Sequence, residues 1–219
     1  MGGFLSSSIA RKVAMALSAL FLIIFLIIHL AVNLTSLFSE HLFNELSHFM
    51  GTNPMVQFAM QPILIFGVVF HFVMGFVLEL KNRRSRTVKY AQYKGAAGAS
   101  WMSRNMLLTG GVVLAFLVVH FVDFWIPEMA YKYVDFLPED PTRYFEELQH
   151  KFASPVKVGF YVLSFVLLSL HLLHGFQSAF QSVGFHNKYT PVVKTIGKVY
   201  AIAIPLGFII IALYHHFNH

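Results

Sequence analysis

The sequence contains no cysteine and few charged residues. Without a thiolate, none of its 219 residues can hold an iron–sulfur cluster through sulfur, and no disulfide can brace the fold. Asp, Glu, Lys and Arg together make up 12% of the chain, about half the share in a typical soluble domain. These shortages exclude an iron–sulfur protein with cysteine ligands and indicate a chain that lies mostly in lipid.

What the sequence does have is five long apolar runs. Each is long enough to cross a hydrocarbon core of ~30 Å as a helix. The runs cover 13–34, 56–80, 106–126, 156–180 and 192–214. The first exceeds the length of a signal-peptide core and lacks a small-residue cleavage pattern, so we interpret it as a retained span. We predict an all-α integral membrane protein, a single domain of five transmembrane helices in an up-down bundle.

The connections between these runs alternate in the sign of their charge. Basic residues flank the N-terminus and the second and fourth connections, whereas the first and third connections are acidic. The basic residues are Arg11, Lys12, Lys81, Arg83, Arg84, Arg86, Lys89, Lys94, Arg104, Lys188, Lys194 and Lys198. The positive-inside rule therefore predicts a cytoplasmic N-terminus and an outer C-terminus. Orientation and contact with membrane lipid explain these residues, and we expect no nucleic-acid partner.

The two outer connections carry apolar residues at helical spacing. Leu42, Phe43, Leu46 and Phe49 follow this pattern, as do Tyr144, Phe145, Leu148 and Phe152. Asp140 and Pro141 have the residue types of a helix cap and a first helical position. We predict two short helices in the outer interface, with cover of the bundle as their simplest role.

Four histidines lie inside apolar runs, one in each of the first four: His29, His71, His120 and His171. With a rise of ~1.5 Å per residue, His29 and His120 lie ~25 Å from the inner charges that begin their helices. His71 lies ~15 Å from the inner charge at Lys81, and His171 lies in the inner half of its run. The histidines therefore form an outer pair and an inner pair, each drawn from two helices.

Two imidazoles at equal depth on different helices are what a bis-histidine haem requires. His71 and Gly75, like His171 and Gly175, form the pattern H-x-x-x-G, in which a glycine one turn away leaves room for a flat macrocycle. The outer pair has Asn33 and Phe124 in that place. We predict two b-type haems. Interhelical hydrogen bonding is the alternative role for each histidine, and His174 is the alternative ligand to His171.

Several segments resemble one family. They are I-I-H-L-A-V-N around His29, V-F-H-F-V-M-G around His71, V-V-H-F-V-D-F-W around His120, S-P-V-K-V-G-F-Y at 154–161, L-H-L-L-H-G from 170, and F-N-E-L-S-H-F-M at 43–50. Together they resemble the membrane anchor of succinate:quinone oxidoreductases and fumarate reductases, in its single-subunit, five-helix, di-haem form. The resemblance covers nearly the whole chain.

The resemblance implies a bacterial cytoplasmic membrane and two partners on its cytoplasmic face, an FAD-containing flavoprotein and an iron–sulfur subunit. The inner haem, between His71 and His171, would receive electrons from the clusters. The outer haem, between His29 and His120, would exchange them with a quinone, usually menaquinone. The chain would then be an electron-transfer and quinone-reactive subunit of an enzyme that oxidises succinate in the tricarboxylic acid cycle, or of one that runs the reverse reaction, fumarate reduction.

The quinone site is expected near the outer haem, where polar side chains are few. The candidates are Asn33, Asn44, His48, Gln61 and Asp123. Arg11, Lys12 and Arg104 are candidates for propionate partners on the inner side, with anchoring at the interface as the alternative. His215, His216 and His219 are expected to be solvated tail residues.

Two other functions remain open. A di-haem cytochrome b of a formate dehydrogenase or hydrogenase would use the same ligands with a different electron donor. A transporter that uses the intramembrane histidines as a proton relay would hold no haem, and the sequence shows no evident inverted repeat in its favour.

Overall fold

The structure, a computed structural model, describes residues 7–84 and 105–218. Most of the long connection at 81–104, with Arg86, Lys89, Lys94 and Arg104, therefore lies outside the described residues, as does His219. The described part contains helices and turns and no strand. The helices are α1 Ser8–Leu34, α2 Glu40–Thr52, α3 Gln61–Arg84, α4 Met106–His120, α5 Ile126–Tyr133, α6 Arg143–Phe152, α7 Pro155–Ser182 and α8 Thr190–Phe217.

Five stretches are long and apolar enough to cross a membrane, as the sequence predicts. These spans, numbered 1 to 5, are Ser8–Leu37, Val56–Lys81, Met106–Tyr133, Pro155–Ser182 and Thr190–Phe217. Spans 2 and 3 each include a π-helical turn, Val56–Met60 and Phe121–Trp125. The second turn joins α4 to α5 without a break, so span 3 extends beyond the predicted end at 126. The protein is thus a multi-pass membrane protein by the length and composition of its helices.

Local sequence explains where several helices begin. The Ser39 hydroxyl accepts a hydrogen bond from the Leu42 amide at 3.2 Å and caps α2. Ser154 accepts from the Lys157 amide at 3.5 Å, and Pro155 occupies the first turn of α7, where its missing N–H leaves no bond unmade.

The two predicted interfacial helices are present as α2 and α6. Asp140 does not cap α6 as predicted, because the helix begins later, at Arg143, after Thr142. Instead Asp140 closes a turn by accepting hydrogen bonds from the Thr142 amide and hydroxyl, at 2.8 and 2.7 Å. Phe43 of α2 and Phe145 of α6 meet edge to face, with ring centres 6.3 Å apart.

The most extensive helix contact is between α7 and α8. Span 1 packs against spans 2, 4 and 5, and span 3 packs against spans 4 and 2. A cluster of buried apolar side chains at the outer ends of these helices joins the spans to α2 and α6, and it includes Leu30, Phe43, Leu148, Tyr161 and Phe208.

At the inner end, α7 and α8 approach closely at Gly197. A Cβ on this glycine would lie 2.5 Å from Cδ1 of Phe176, whose ring is buried and stacked on Phe180. The contact therefore requires glycine at this position.

We predict that Gly197→Ala destabilises the protein. Overpacking by one methyl group costs about 1–3 kcal/mol, and the better helix propensity of alanine offsets about 1 kcal/mol of this. Thermal unfolding in detergent should therefore show a lower midpoint. Gly159→Ala is the matched control, because no atom lies within 4 Å of the added Cβ on α7. Equal midpoints for the two variants would contradict the close approach.

Candidate functional site

The four intramembrane histidines meet as two pairs. His29 of span 1 faces His120 of span 3, with ring centres 5.9 Å apart and ring planes at 81°. His71 of span 2 faces His171 of span 4, at 6.4 Å and 74°. We keep the names outer pair for His29 and His120 and inner pair for His71 and His171; the ring opposite His71 is that of His171.

The spacing within each pair fits two axial ligands of one metal. A metal–nitrogen bond is ~2 Å and an imidazole centre lies ~1.1 Å beyond its nitrogen, so two imidazoles on opposite sides of one metal have centres ~6.2 Å apart. The two observed distances, 5.9 and 6.4 Å, lie on either side of this value.

Each pair supplies only two ligands. In the described part of the chain, no group of three or more His, Cys, Asp or Glu side chains is placed to hold a metal ion. A metal at either pair would therefore need a cofactor that brings its own donor atoms, and the four nitrogens of a porphyrin meet this need.

In the inner pair, both histidines contact a hydroxyl group. Nδ1 of His71 lies 3.0 Å from Oγ of Ser18, and Nδ1 of His171 lies 3.4 Å from Oγ1 of Thr109. Each hydroxyl donates its proton to the carbonyl three residues earlier, at Met15 (2.7 Å) and Met106 (3.1 Å). With that proton engaged, each hydroxyl oxygen can accept from the imidazole N–H.

The two predicted packing glycines lie beside methionine side chains. A Cβ on Gly75 would lie 3.3 Å from the methyl carbon of Met15, and one on Gly175 would lie 3.5 Å from that of Met106. Methionine is unbranched and flexible, so the space beside each glycine is bounded by groups that adapt to a neighbour.

Aromatic rings surround the outer pair. Phe25 stacks on His29 at 5.3 Å, and Phe116 stacks on His120 at 5.7 Å. The Asn33 amide donates to the His29 carbonyl at 2.8 Å and lies 3.4 Å from the His29 ring nitrogen Nδ1. Nδ1 of His120 is buried and has no hydrogen-bond partner among the described residues. In the inner pair, both histidines contact a hydroxyl group in the same way. In the described part of the chain, the outer pair lacks such a matching arrangement.

These arrangements repeat along the chain. Spans 1 and 3 both place a hydroxyl residue, a phenylalanine and a histidine three, ten and fourteen residues after a methionine. The residues are Met15, Ser18, Phe25 and His29 in span 1, and Met106, Thr109, Phe116 and His120 in span 3. Spans 2 and 4 share H-x-x-x-G, and α2 and α6 share F-x-E-L-x-H from Phe43 and Phe145. The chain thus contains two similar units of span, interfacial helix and span, followed by span 5.

Our reading of the sequence did not find Ser18 and Thr109. The signal that locates them is this repeat, because a hydroxyl residue at the same distance from both methionine and histidine in two helices indicates a shared role.

Asp123, a predicted quinone group, lies in the π-helical turn that follows His120 and is 7% exposed. One of its oxygens accepts from Lys157 Nζ at 2.7 Å, and the other accepts from the Tyr161 hydroxyl at 2.8 Å. The Tyr161 ring is buried against Phe116, at 5.1 Å, beside His120. The network joins span 3 to span 4 at the level of the outer pair.

The structure separates the other quinone candidates. Asn33 lies against His29, and Gln61 is the first residue of α3. Asn44 is buried, and its side-chain oxygen accepts from the Phe145 amide at 2.8 Å, which makes it a link between α2 and α6. His48 is the candidate that lines an open cavity.

That cavity of about 230 Å³ lies between α2, the start of span 2, the end of span 3 and α6. Its wall includes His48, Gln57, Tyr131, Tyr133 and Tyr144. Burial, and then the nearby Glu128 carboxylate, raise the pKa of Tyr144 to about 12, so its hydroxyl stays protonated at neutral pH.

A charged cluster supports one side of the cavity. Glu128 pairs with both Lys132 and Arg143, and Arg143 also pairs with Glu147 at 2.6 Å. The guanidinium of Arg143 lies over the rings of Tyr131 and Tyr144, at 4.0 and 4.4 Å from their centres. The cluster fixes α5 against α6 and thereby holds two of the cavity's tyrosines in place.

The expectation that the C-terminal histidines are solvated is wrong for two of them. α8 continues to Phe217, so His215 is fully buried, and its Nε2 lies 2.9 Å from the hydroxyl of Ser36. His216 is half-buried, with Nδ1 2.9 Å from the Phe152 carbonyl. Both residues attach span 5 to the rest of the outer end.

No protein-family model matches the chain, and neither a curated protein nor a solved structure matches it.

We predict that Asp123→Ala destabilises the protein by about 2 kcal/mol, because it leaves the buried Tyr161 hydroxyl unpaired and Lys157 without its counter-charge. Breaking a buried pair costs more, but solvent screens the partly exposed lysine. Asp123→Asn keeps an acceptor for the Tyr161 hydroxyl, so its loss of stability should be about half that of Asp123→Ala. Thermal unfolding in detergent measures both variants. The same midpoint for Asp123→Ala and the unaltered protein would show that the network adds no stability.

Proposed function

We propose that this protein is a di-haem cytochrome b, the membrane anchor of a succinate:quinone oxidoreductase or fumarate reductase, which passes electrons between an iron–sulfur subunit and membrane quinone. The observation that carries the proposal is the pair of histidine sites, each with the spacing of two axial ligands. Four intramembrane histidines that meet as two pairs are explained by two metals more simply than by four separate hydrogen bonds.

His71 and His171 would hold the inner haem, and His29 and His120 the outer haem. Haem, when bound, supplies reversible one-electron chemistry without taking up substrate atoms. Both ligand pairs join spans that are two apart in the chain, which fits a bundle of spans 1 to 4 around the two cofactors. Span 5 would then close one side, against spans 1 and 4.

The two levels are arranged for transfer across the membrane. Ser18, at the inner level, and His29 are eleven residues apart on α1, which places the levels ~16 Å apart along the helix. Two sites at this separation cover about half of a ~30 Å hydrocarbon core. The rings of Phe25 and Phe116 stack on the outer ligands and would exclude water beside them. Without water at the site, electron transfer there would proceed without proton transfer to or from the ligands.

The proposal requires partner subunits. Since this chain has no cysteine, iron–sulfur clusters must be brought by another subunit. The flavoprotein and iron–sulfur subunits would dock on the basic, cytoplasmic side, where the inner haem can accept their electrons. The quinone, with menaquinone as the expected species, would react near the outer haem in a bacterial cytoplasmic membrane.

For the quinone we propose the cavity at the outer interface. His48, Gln57 and the tyrosines of its wall offer hydrogen bonds to quinone carbonyls, and His48 lies 3.9 Å from the exposed Glu139, which provides contact with outer protons. Asn44 and Asp123 have their oxygens engaged within the protein, so they support the fold at this level and do not contact quinone in this proposal.

We predict two low-spin b haems per chain in the purified complex. His71→Ala and His171→Ala should remove one spectral component, and His29→Ala and His120→Ala should remove the other, because each haem loses an axial ligand. A pyridine-haemochrome assay counts the haems, and a redox-titrated visible spectrum separates them.

His174→Ala is the matched control and should retain both haems, since His171 is the residue opposite His71. Fewer than two haems in the unaltered complex would refute the proposed function. Loss of the same component from His29→Ala and His71→Ala would refute the pairing.

We predict that His48→Ala lowers kcat/KM for quinone about tenfold, as expected for the loss of one hydrogen bond to the substrate. Reduction of a soluble dye by succinate should stay normal, because it does not use the outer site. His41→Ala is the matched control, since His41 lies on the same helix with its side chain 89% exposed. Unchanged quinone kinetics in His48→Ala, with both haems present, would exclude this cavity.

A further inference from the structure

The hydroxyl groups beside the inner histidines have a defined hydrogen-bond direction. Ser18 and Thr109 each carry one hydroxyl proton, and each donates it to a carbonyl of its own helix. What remains on each oxygen is acceptor capacity, and the nearest donor is Nδ1 of His71 or of His171. An imidazole that donates to this oxygen carries its proton on Nδ1.

This tautomer leaves the other ring nitrogen free. A neutral imidazole protonated at Nδ1 has its lone pair on Nε2, and which nitrogen binds a metal is set by the hydrogen bond that the other makes. With both rings fixed through Nδ1, the two lone pairs of the inner pair are available to one metal between them.

We propose that Ser18 and Thr109 are positioning residues for the inner haem, which hold His71 and His171 in the metal-binding tautomer and set the electron donation from both rings to the iron. The inference rests on the proposed function and adds to it two residues that act through the histidine ligands.

Three features support a shared role. The two hydroxyl residues occupy the same place in the repeat, three residues after a methionine and eleven before an outer histidine. Thr109 is 2% exposed, so its hydroxyl has little contact with bulk water. The outer pair lacks the arrangement, because an amide nitrogen lies near Nδ1 of His29 and Nδ1 of His120 has no partner in the part of the chain that the structure describes.

The expected effect follows from the polarity of the N–H bond. An imidazole whose N–H donates a hydrogen bond is more electron-rich, and this stabilises ferric over ferrous iron. Loss of either hydroxyl should therefore raise the midpoint potential of the inner haem and leave that of the outer haem unchanged.

The experiment uses the whole complex with Ser18→Ala or Thr109→Val. Redox titration of the visible spectrum and the low-spin EPR signal of each haem are the measurements, with haem content determined in parallel. At a fixed potential near the midpoint, the ferrous-to-ferric ratio of the inner haem should rise about threefold. The rise should be larger for Ser18→Ala than for Thr109→Val, because the contact of Ser18 with His71 (3.0 Å) is shorter than that of Thr109 with His171 (3.4 Å).

Rescue and control variants separate hydroxyl chemistry from packing. Ser18→Thr and Thr109→Ser retain the hydroxyl and should restore the potential and the EPR signal. Ser164→Ala removes a buried hydroxyl on α7 that donates to the Phe160 carbonyl of its own helix. This variant should leave the midpoint potentials of both haems unchanged.

Each outcome decides the matter. A shift confined to the inner haem and reversed by the rescue variants supports the proposal, as does loss of the inner haem in Ser18→Ala that Ser18→Thr restores. The proposal is overturned if the midpoint potential and EPR signal of the inner haem are unchanged, if the potential of the outer haem shifts, or if both rescue variants fail. Provided that the unaltered complex holds two haems, the proposed function stands in each of these cases. A complex without haem would instead refute the proposed function itself.

Discussion

A buried imidazole has two nitrogens, and in hydrocarbon each must find a partner or lose the hydrogen bonds that water would supply. The arrangement of the helices depends on this constraint. Spans 1 and 3 supply hydroxyls to the inner histidines through Ser18 and Thr109. Spans 2 and 4 carry the histidines those hydroxyls hold. In this inner pair one nitrogen of each ring is engaged, and the two rings lie 6.4 Å apart between centres. One hydrogen bond to each ring thus fixes the helices that bring the two rings together.

The repeat explains how similar sites arise at similar depth. Two units of span, interfacial helix and span bring the same residue types to the same height, and Phe43 and Phe145 meet where their interfacial helices pack. The units differ where the sites differ. Asn33 follows His29 by one turn, whereas Phe124 follows His120, so one outer histidine has a polar neighbour and the other an aromatic one at 5.2 Å. The copies therefore share a scaffold without sharing all of their chemistry.

Much of the fold could be predicted from hydropathy and charge, because the five spans depend on length and composition alone. The partners of each histidine depend also on rotation about the helix axis, which depth does not determine. Ser18, Thr109, Lys157 and Tyr161 were missed for that reason. His215 was misjudged because it lies near the chain end, although it follows the buried residues Ile204, Phe208 and Ile211 at helical spacing. Helical periodicity carried through to the last turn of span 5 would have placed it in the core.

The spans differ greatly in how much of each is enclosed by protein. In span 5, 44% of the most apolar window is buried, compared with 6% in span 2, which nevertheless carries His71. Among the described residues, span 2 contacts mainly span 1, and the contact between His71 and His171 is a large part of what joins it to span 4. Span 2 therefore offers most of its apolar surface to lipid and not to protein, so its position depends on the surrounding bilayer more than that of span 5 does.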